Sequence, residues 1–294
     1  MIVTTEKLTK RYGSRAVVDA VDLNVREGEV YGFLGPNGAG KTTTLRMLLG
    51  LIRPSGGSAT VLGHPPGSPK GLHQVGSLIE GPGFYPYLSG RDNLRVHARR
   101  RGARDVEVEA VLQQVDLTGA AAAKFRSYSL GMKQRLGVAA ALLGQPKLLI
   151  LDEPTNGLDP AGMADMRDLV RALAEQGQTV LLSSHLLGEV EEICDRVGVI
   201  TNGRLVAEST VAELRGDTVL LVRADPIEKA ALVVDDSVVV DGALHVQAAE
   251  EYAPVIVRKL VEADVEVREV RPLRRTLEEV FFEMTAKNDL GAVS

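Results

Sequence analysis

The chain predicts an α/β fold followed by a smaller α+β unit. Three observations predict it. β-branched runs alternate with helix-patterned stretches through the first and larger part of the 294 residues. One such run, Glu29 to Leu34, leads into a glycine-rich loop and then a helical stretch, Lys41 to Leu49, the strand–loop–helix order of a P-loop domain. Near Gly216 the pattern changes, which divides the chain into residues 1–216 and 217–294.

In order, strands are expected over Ile2–Thr5, Val17–Val25 and Glu29–Leu34. Gly63 to Pro69 (GHPPGSP) is an irregular loop, because Gly and Pro punctuate it. A helical subdomain, about residues 85–145, follows from Ala-rich pieces with few β-branched runs. Within it, Val108, Val111, Leu112 and Val115 recur at helical spacing over Asp105–Leu117. Strands return at Leu148–Leu151, Thr179–Leu182 and Val197–Thr201, so the sheet is mixed. Asn202-Gly203 pairs the last of these with Arg204–Ala207 as a hairpin. Beyond Gly216, strand Thr218–Arg223, helix Pro226–Val233, strand Ser237–Val240, the Asp241-Gly242 turn, strand Ala243–Ala248, helix Glu250–Glu262 and strand Val265–Val270 give β-α-β-β-α-β. That is the split βαβ order of ferredoxin-like domains. A final amphipathic helix, Leu277–Met284, would pack Leu277, Val280, Phe281 and Met284 on its own unit.

Composition removes several function classes. With 34 Lys+Arg against 39 Asp+Glu, the formal charge of −5 disfavours an electrostatic grip on nucleic acid or acidic lipid. The basic run Arg99–Arg104 (RRRGAR) has no interleaved aromatics and reads as a solvated helix end, so no nucleic acid is expected as partner. A single cysteine excludes a disulfide framework and a Cys-based zinc site; Cys194 is expected to be a buried apolar filler. Apolar stretches such as Val138–Leu143 fall far short of the ~20 residues a bilayer span needs. The opening residues, MIVTTEKLTKRYG, have no apolar core of the secretory kind. Any membrane part must come from another chain.

Gly35 to Thr42 reads GPNGAGKT, a full G-x-x-x-x-G-K-[ST] match. Glycines let backbone N–H groups close around phosphates, and the following helix aims its positive end at the same anion. Gly35, Pro36, Asn37, Gly38, Ala39, Gly40 and Thr43 form this cradle; Lys41 would neutralise β- and γ-phosphate, and the Thr42 hydroxyl would ligate Mg²⁺. Leu148 to Glu153 reads LLILDE, four apolar residues and then two carboxylates. Alone, this fits a buried strand ending in a solvated acidic turn about as well as a site. With the P-loop upstream, Asp152 is expected to hold Mg²⁺ and Glu153 to polarise an attacking water.

Tyr128 to Arg135 reads YSLGMKQR before an apolar helix. Here the chain resembles the nucleotide-binding subunits of ABC transporters, whose signature runs close to LSGGQ, a basic residue, Gln and Arg. Ser129, Gly131, Gln134 and Arg135 match; Leu130 and Met132 depart. The resemblance implies an ABC-type ATPase fold over residues 1–216, with ATP and Mg²⁺ as ligands. It implies that Ser129 and Gly131 bind the γ-phosphate of ATP held by a second ATPase subunit, in a dimer. It also implies that Tyr12 stacks on adenine, that Asp159 of NGLDP crosses the dimer interface, and that His185 contacts the γ-phosphate and orders the water. Where the family usually has Gln, this chain carries Glu80, a variant seen in the branch that exports bacitracin, lantibiotics and related drugs; its carboxylate would also face Mg²⁺. His64, His73, His97 and His245 show no ligand spacing and read as surface or packing residues. The resemblance therefore implies a Mg-dependent ATPase that powers efflux of a peptide antibiotic or drug through a separate integral membrane permease. Its place would be cytoplasmic, on the inner face of the membrane. The alternative is a soluble ABC ATPase acting on ribosomes or DNA. One P-loop instead of two in tandem, and no long heptad insertion, weigh against it.

Overall fold

The computed structural model describes residues 1–81, 83–215 and 219–273. Gly216, Thr218 and the helix expected over Leu277–Met284 lie outside the described residues. The chain divides into two compact units, with the second beginning at Val211.

The first unit opens with β1 (Val3–Tyr12), β2 (Arg15–Val21), β3 (Asn24–Val25) and β4 (Val30–Leu34). After the P-loop come α1 (Lys41–Leu48), β5 (Gly56–Val61), α2 (Pro69–Leu72) and β6 (Val75–Leu78). The helical subdomain holds α3 (Gly90–Arg101), α4 (Asp105–Gln114) and α5 (Leu130–Leu142). Then follow β7 (Leu148–Asp152), α6 (Pro160–Glu175), β8 (Thr179–Ser184), α7 (Leu187–Ile193) and the hairpin β9 (Arg196–Thr201) and β10 (Arg204–Thr210).

Two sheets result. An antiparallel one runs β2-β1-β3, with β5 also on β1. The other is six-stranded in the order β10-β9-β4-β8-β7-β6, parallel except for the β9–β10 hairpin. Every residue of β4, β7 and β8 is buried, as a parallel sheet covered on both faces requires. Register does the positioning. Leu34 pairs with Ser184, and Asp152 pairs with Ser183, so three strands end side by side. The P-loop, the carboxylates and His185 therefore emerge together from the carboxyl edge, where open α/β sheets place their ligands.

The run Val17–Val25, read as one strand, is two. Thr5 Oγ1 donates to Val21 O at 2.8 Å and accepts from Leu23 N–H at 2.7 Å, so a side chain takes the place of ladder bonds between β2 and β3. Neither β5 (GGSATV) nor β6 (VGSL) was expected, because Gly and Ser carry weak strand signal. In β6, Gly76 is required by space. A Cβ there would lie 2.1 Å from Ala141 O on α5. Gly76→Ala is expected to cost about 1–3 kcal/mol through overpacking and to lower the Tm in a thermal melt. Cys194 is buried, as expected, its sulfur against Gly32, and burial pushes its thiol far up.

The second unit holds α8 (Val211–Arg215), β11 (Val219–Asp225), α9 (Ile227–Val233), β12 (Ser237–Val240), β13 (Ala243–Gln247), α10 (Ala253–Glu262) and β14 (Glu266–Leu273). Its sheet runs β12-β13-β11-β14, antiparallel throughout, over a core that includes Leu220, Val222, Leu244, Val246 and Leu260. The helix expected over Glu250–Glu262 starts as a 3-10 turn, Glu250–Tyr252. Pro254 lacks an N–H and suits the first turn of α10 that follows.

Candidate functional site

The site begins at the end of β4. Gly40 has φ +108°, and a Cβ on it would lie 2.6 Å from Val17 O, so both backbone and space demand glycine. The N-cap of α1 has no side-chain hydrogen bond, and its first turn has no acidic residue. Its N–H groups are left for an anion. Val17, Asn37, Gly38, Gly40, Lys41, Thr42, Thr43, Glu153 and Asn156 line one cavity. Gly35, Pro36 and Ala39 complete the loop; Lys41 Nζ donates to Gly35 O (2.6 Å) and Pro36 O (3.3 Å).

Lys41 is buried, and its ammonium lies 3.1 Å from Glu153 Oε1. The other oxygen of Glu153 lies 2.5 Å from His185 Nδ1. Both ends of one carboxylate are thus held. Glu153 itself has φ +48°, a left-handed backbone that turns its side chain toward the P-loop at the strand exit. Ser183 secures that turn. Its hydroxyl donates to Asp152 Oδ1 at 2.5 Å and accepts from the Glu153 N–H at 3.0 Å. Asp152 is buried, and Oδ2 has no hydrogen-bond partner among the described residues.

Ser129, Gly131 and Asp159 lie elsewhere. They line a second cavity of about 400 Å³ with Leu130, Arg135 and Leu158. Ser129 caps α5, accepting from Met132 N–H at 3.2 Å, and Asp159 caps α6, accepting from Gly162 N–H at 3.0 Å. Neither cavity shares a lining residue with the other. Tyr12 is half exposed, with Lys10 Nζ 5.1 Å from its ring centroid. Glu80 does not line the P-loop cavity; its carboxylate pairs with Arg46 on α1.

Sequence reasoning missed Ser183 and Asn156. Ser183 is one serine of the SSH run, and only the β7–β8 register sets it opposite Asp152. Asn156 opens the NGLDP loop that was read for Asp159 alone.

Comparison with known proteins fits this geometry. A family model described as ABC transporter matches residues 18–156. The chain is 42% identical to the uncharacterized ABC transporter ATP-binding protein YdbJ of Bacillus subtilis (strain 168), over 97% of this chain and 95% of that one. It is 39% identical to the bacitracin transport ATP-binding protein BcrA of Bacillus licheniformis, over 99% of each. Among solved structures, cbiO1 from Clostridium perfringens, described as part of the ABC transporter complex cbiONQ, superposes with a TM-score of 0.66 at 27% identity, over 72% of this chain and 90% of that one. A P-loop beside an acidic strand end, in a chain alike from end to end to such proteins, makes this protein a member of the ABC transporter ATP-binding family, a subunit that binds and hydrolyses ATP.

Proposed function

We propose that this ATPase powers export of a peptide antibiotic or drug through a separate membrane permease. The observation that carries the proposal is near full-length likeness to a bacitracin transport ATP-binding protein. We assign the translocation path to that permease; among the described residues of this chain no helix is long and apolar enough to cross a membrane. A cavity of about 270 Å³, lined by Leu78, Ile79, Phe84, His97 and Arg101 among others, is the seat we assign to the permease. The working place is then the inner face of the cell membrane.

Two copies would act together. The P-loop and the Ser129–Gly131 turn line separate cavities, so a phosphate at one P-loop takes its second set of N–H donors from a partner. Asp159 would stand at that junction, and Tyr12, with its exposed ring, would stack on the base. The second unit, with strand order β12-β13-β11-β14, is read as ferredoxin-like.

Mg²⁺ fits the donors present. The Thr42 hydroxyl and the free Oδ2 of Asp152 are hard oxygens, and Mg²⁺ takes one or two of these beside substrate phosphates. Bound there, the ion would neutralise phosphate charge. The chain's own residues do the rest. Lys41 and the P-loop N–H groups fix the β- and γ-phosphates. Glu153 takes a proton from the attacking water as its oxygen bonds to γ-phosphorus, and the bond to the ADP oxygen breaks. His185, already against Glu153, keeps that carboxylate and the water aligned.

The testing experiment is a tagged pull-down from solubilised membranes, read by mass spectrometry. The expected result is a polytopic membrane protein in near-stoichiometric amount. Recovery of only ribosomal or DNA-associated proteins would move the same ATPase chemistry to a soluble machine. Glu80→Ala is expected to leave the purified complex assembled but to lower transport per ATP hydrolysed in vesicles. Wild-type coupling in that variant would show that Glu80, paired with Arg46, has no part in coupling.

A further inference from the structure

Beyond the site, one buried side chain has an unexplained arrangement. Glu189, in the first turn of α7, is 4% exposed. Burying a carboxylate is costly unless its oxygens are satisfied. Glu189 Oε2 accepts from Thr155 Oγ1 at 2.8 Å and from Ser184 Oγ at 2.9 Å, while Oε1 has no hydrogen-bond partner among the described residues. An apolar side chain would fill the same space without that cost, so packing alone does not account for the carboxylate. Its partners do. Thr155 follows Glu153 by two residues on the loop after β7. Ser184 precedes His185 at the end of β8, and its hydroxyl also accepts from Leu186 N–H at 2.9 Å.

We infer that Glu189 is a positioning residue for ATP hydrolysis, a single acceptor that ties the loop carrying Glu153 to the loop carrying His185. It does not line the P-loop cavity and acts through those two residues. The Glu153–His185 contact of 2.5 Å needs both loops in register. Without the shared acceptor, Thr155 and Ser184 are left as buried donors, and each loop relaxes independently to satisfy them. A displacement near 1 Å at a reacting group is enough to slow a reaction on the order of 10²-fold. Ser183 provides a parallel tie one residue earlier, between Asp152 and the Glu153 N–H. The carboxyl edge is thus laced by two cross-strand links, one on each side of the proposed base.

The inference rests on the roles proposed for Glu153 and His185, and the test separates the two. Single-turnover ATP hydrolysis, binding of a fluorescent ATP analogue and thermal melting are measured on the full chain for Glu189→Leu, Glu189→Gln, His185→Ala and the His185→Ala/Glu189→Leu pair. Glu189→Leu is expected to slow hydrolysis by roughly ten- to a hundredfold with analogue affinity within about twofold. Glu189→Gln keeps an acceptor for both hydroxyls and is expected to restore most of the rate. The double variant is expected to be slower than His185→Ala alone by less than the factor Glu189→Leu costs by itself, because part of the tie acts through that histidine. A wild-type rate in Glu189→Leu, a loss of analogue affinity in step with the Tm, or losses that multiply in the double variant would each overturn the inference. If His185→Ala itself keeps the wild-type rate, the role given to His185 fails whatever Glu189 does. Should Glu189→Leu not fold, Thr155→Val/Ser184→Ala removes the same two bonds and is judged by the same outcomes.

Discussion

Glu153→Gln is expected to cut ATP turnover by roughly 10²–10⁴-fold, the range a general base contributes. The substitution keeps the side chain's size and one oxygen but removes its capacity to take a proton. Its surroundings are demanding. One carboxylate oxygen lies 3.1 Å from Lys41 Nζ and the other 2.5 Å from His185 Nδ1. The amide nitrogen of Gln would face one of these two donors, so the contact to Lys41 or to His185 weakens as well. Binding should survive, because the P-loop N–H groups and Lys41 remain. The expected state is an ATP-filled pair of subunits, seen as slow single-turnover release of phosphate with retained nucleotide and a larger particle in size-exclusion chromatography. A variant hydrolysing ATP at the wild-type rate would take the base role away from Glu153.

Arg196→Ala carries the largest expected effect on stability. Arg196 is nearly buried at the start of β9, with Nη1 3.1 Å from Glu29 Oε1 and Nη2 3.4 Å from Glu208 Oε1. Its guanidinium also lies 5.6 Å from the ring centroid of Tyr31. Tyr31 OH donates to Glu208 Oε1 at 2.8 Å. Truncating the arginine leaves two carboxylates in the interior without their cation. Breaking a buried pair from one side typically costs about 3–5 kcal/mol. A denaturant titration should show that loss as a lower midpoint with little change in slope. The same cluster gives the fold an alkaline weakness. Burial, and then the charge and hydrogen bond of Glu208, push the Tyr31 phenol well above its ordinary range. The folded form holds that proton where the unfolded chain releases it, so stability is full at lower pH and falls as pH rises past the ordinary tyrosine value.

Much of the site was legible because its parts are chemical motifs at the ends of apolar runs. GPNGAGKT names its own chemistry and gives LLILDE downstream its reading, and β4, β7 and β8 are buried runs bounded by loops. The hairpin at Asn202-Gly203 and the strand Ser237–Val240 follow from turn chemistry and branching. What was not legible depends on partners far away in sequence. β5 is held by β1 across the sheet and has little propensity of its own. Ser183 and Glu189 are ordinary residues until register sets one beside Asp152 and the other between Thr155 and Ser184. The pairing of Glu80 with Arg46 joins a loop to a helix that no periodicity connects. Local pattern reveals elements and motifs, whereas side-chain ties between elements are set by three-dimensional neighbours.

The contact between Lys41 and Glu153 also bears on how the site meets its ligand. A buried ammonium facing an empty cleft would be a strong bare cation, open to any small anion. Here a carboxylate of the same chain already occupies that seat. Arrival of a phosphate is then an ion exchange, in which one negative group replaces another against the same lysine. Affinity becomes the difference between two ion pairs, so inorganic anions that merely match the carboxylate gain little. The triphosphate wins by the many N–H groups it meets at once along the loop. Selectivity for nucleotide over simple salts is in that sense set by the Lys41–Glu153 pair.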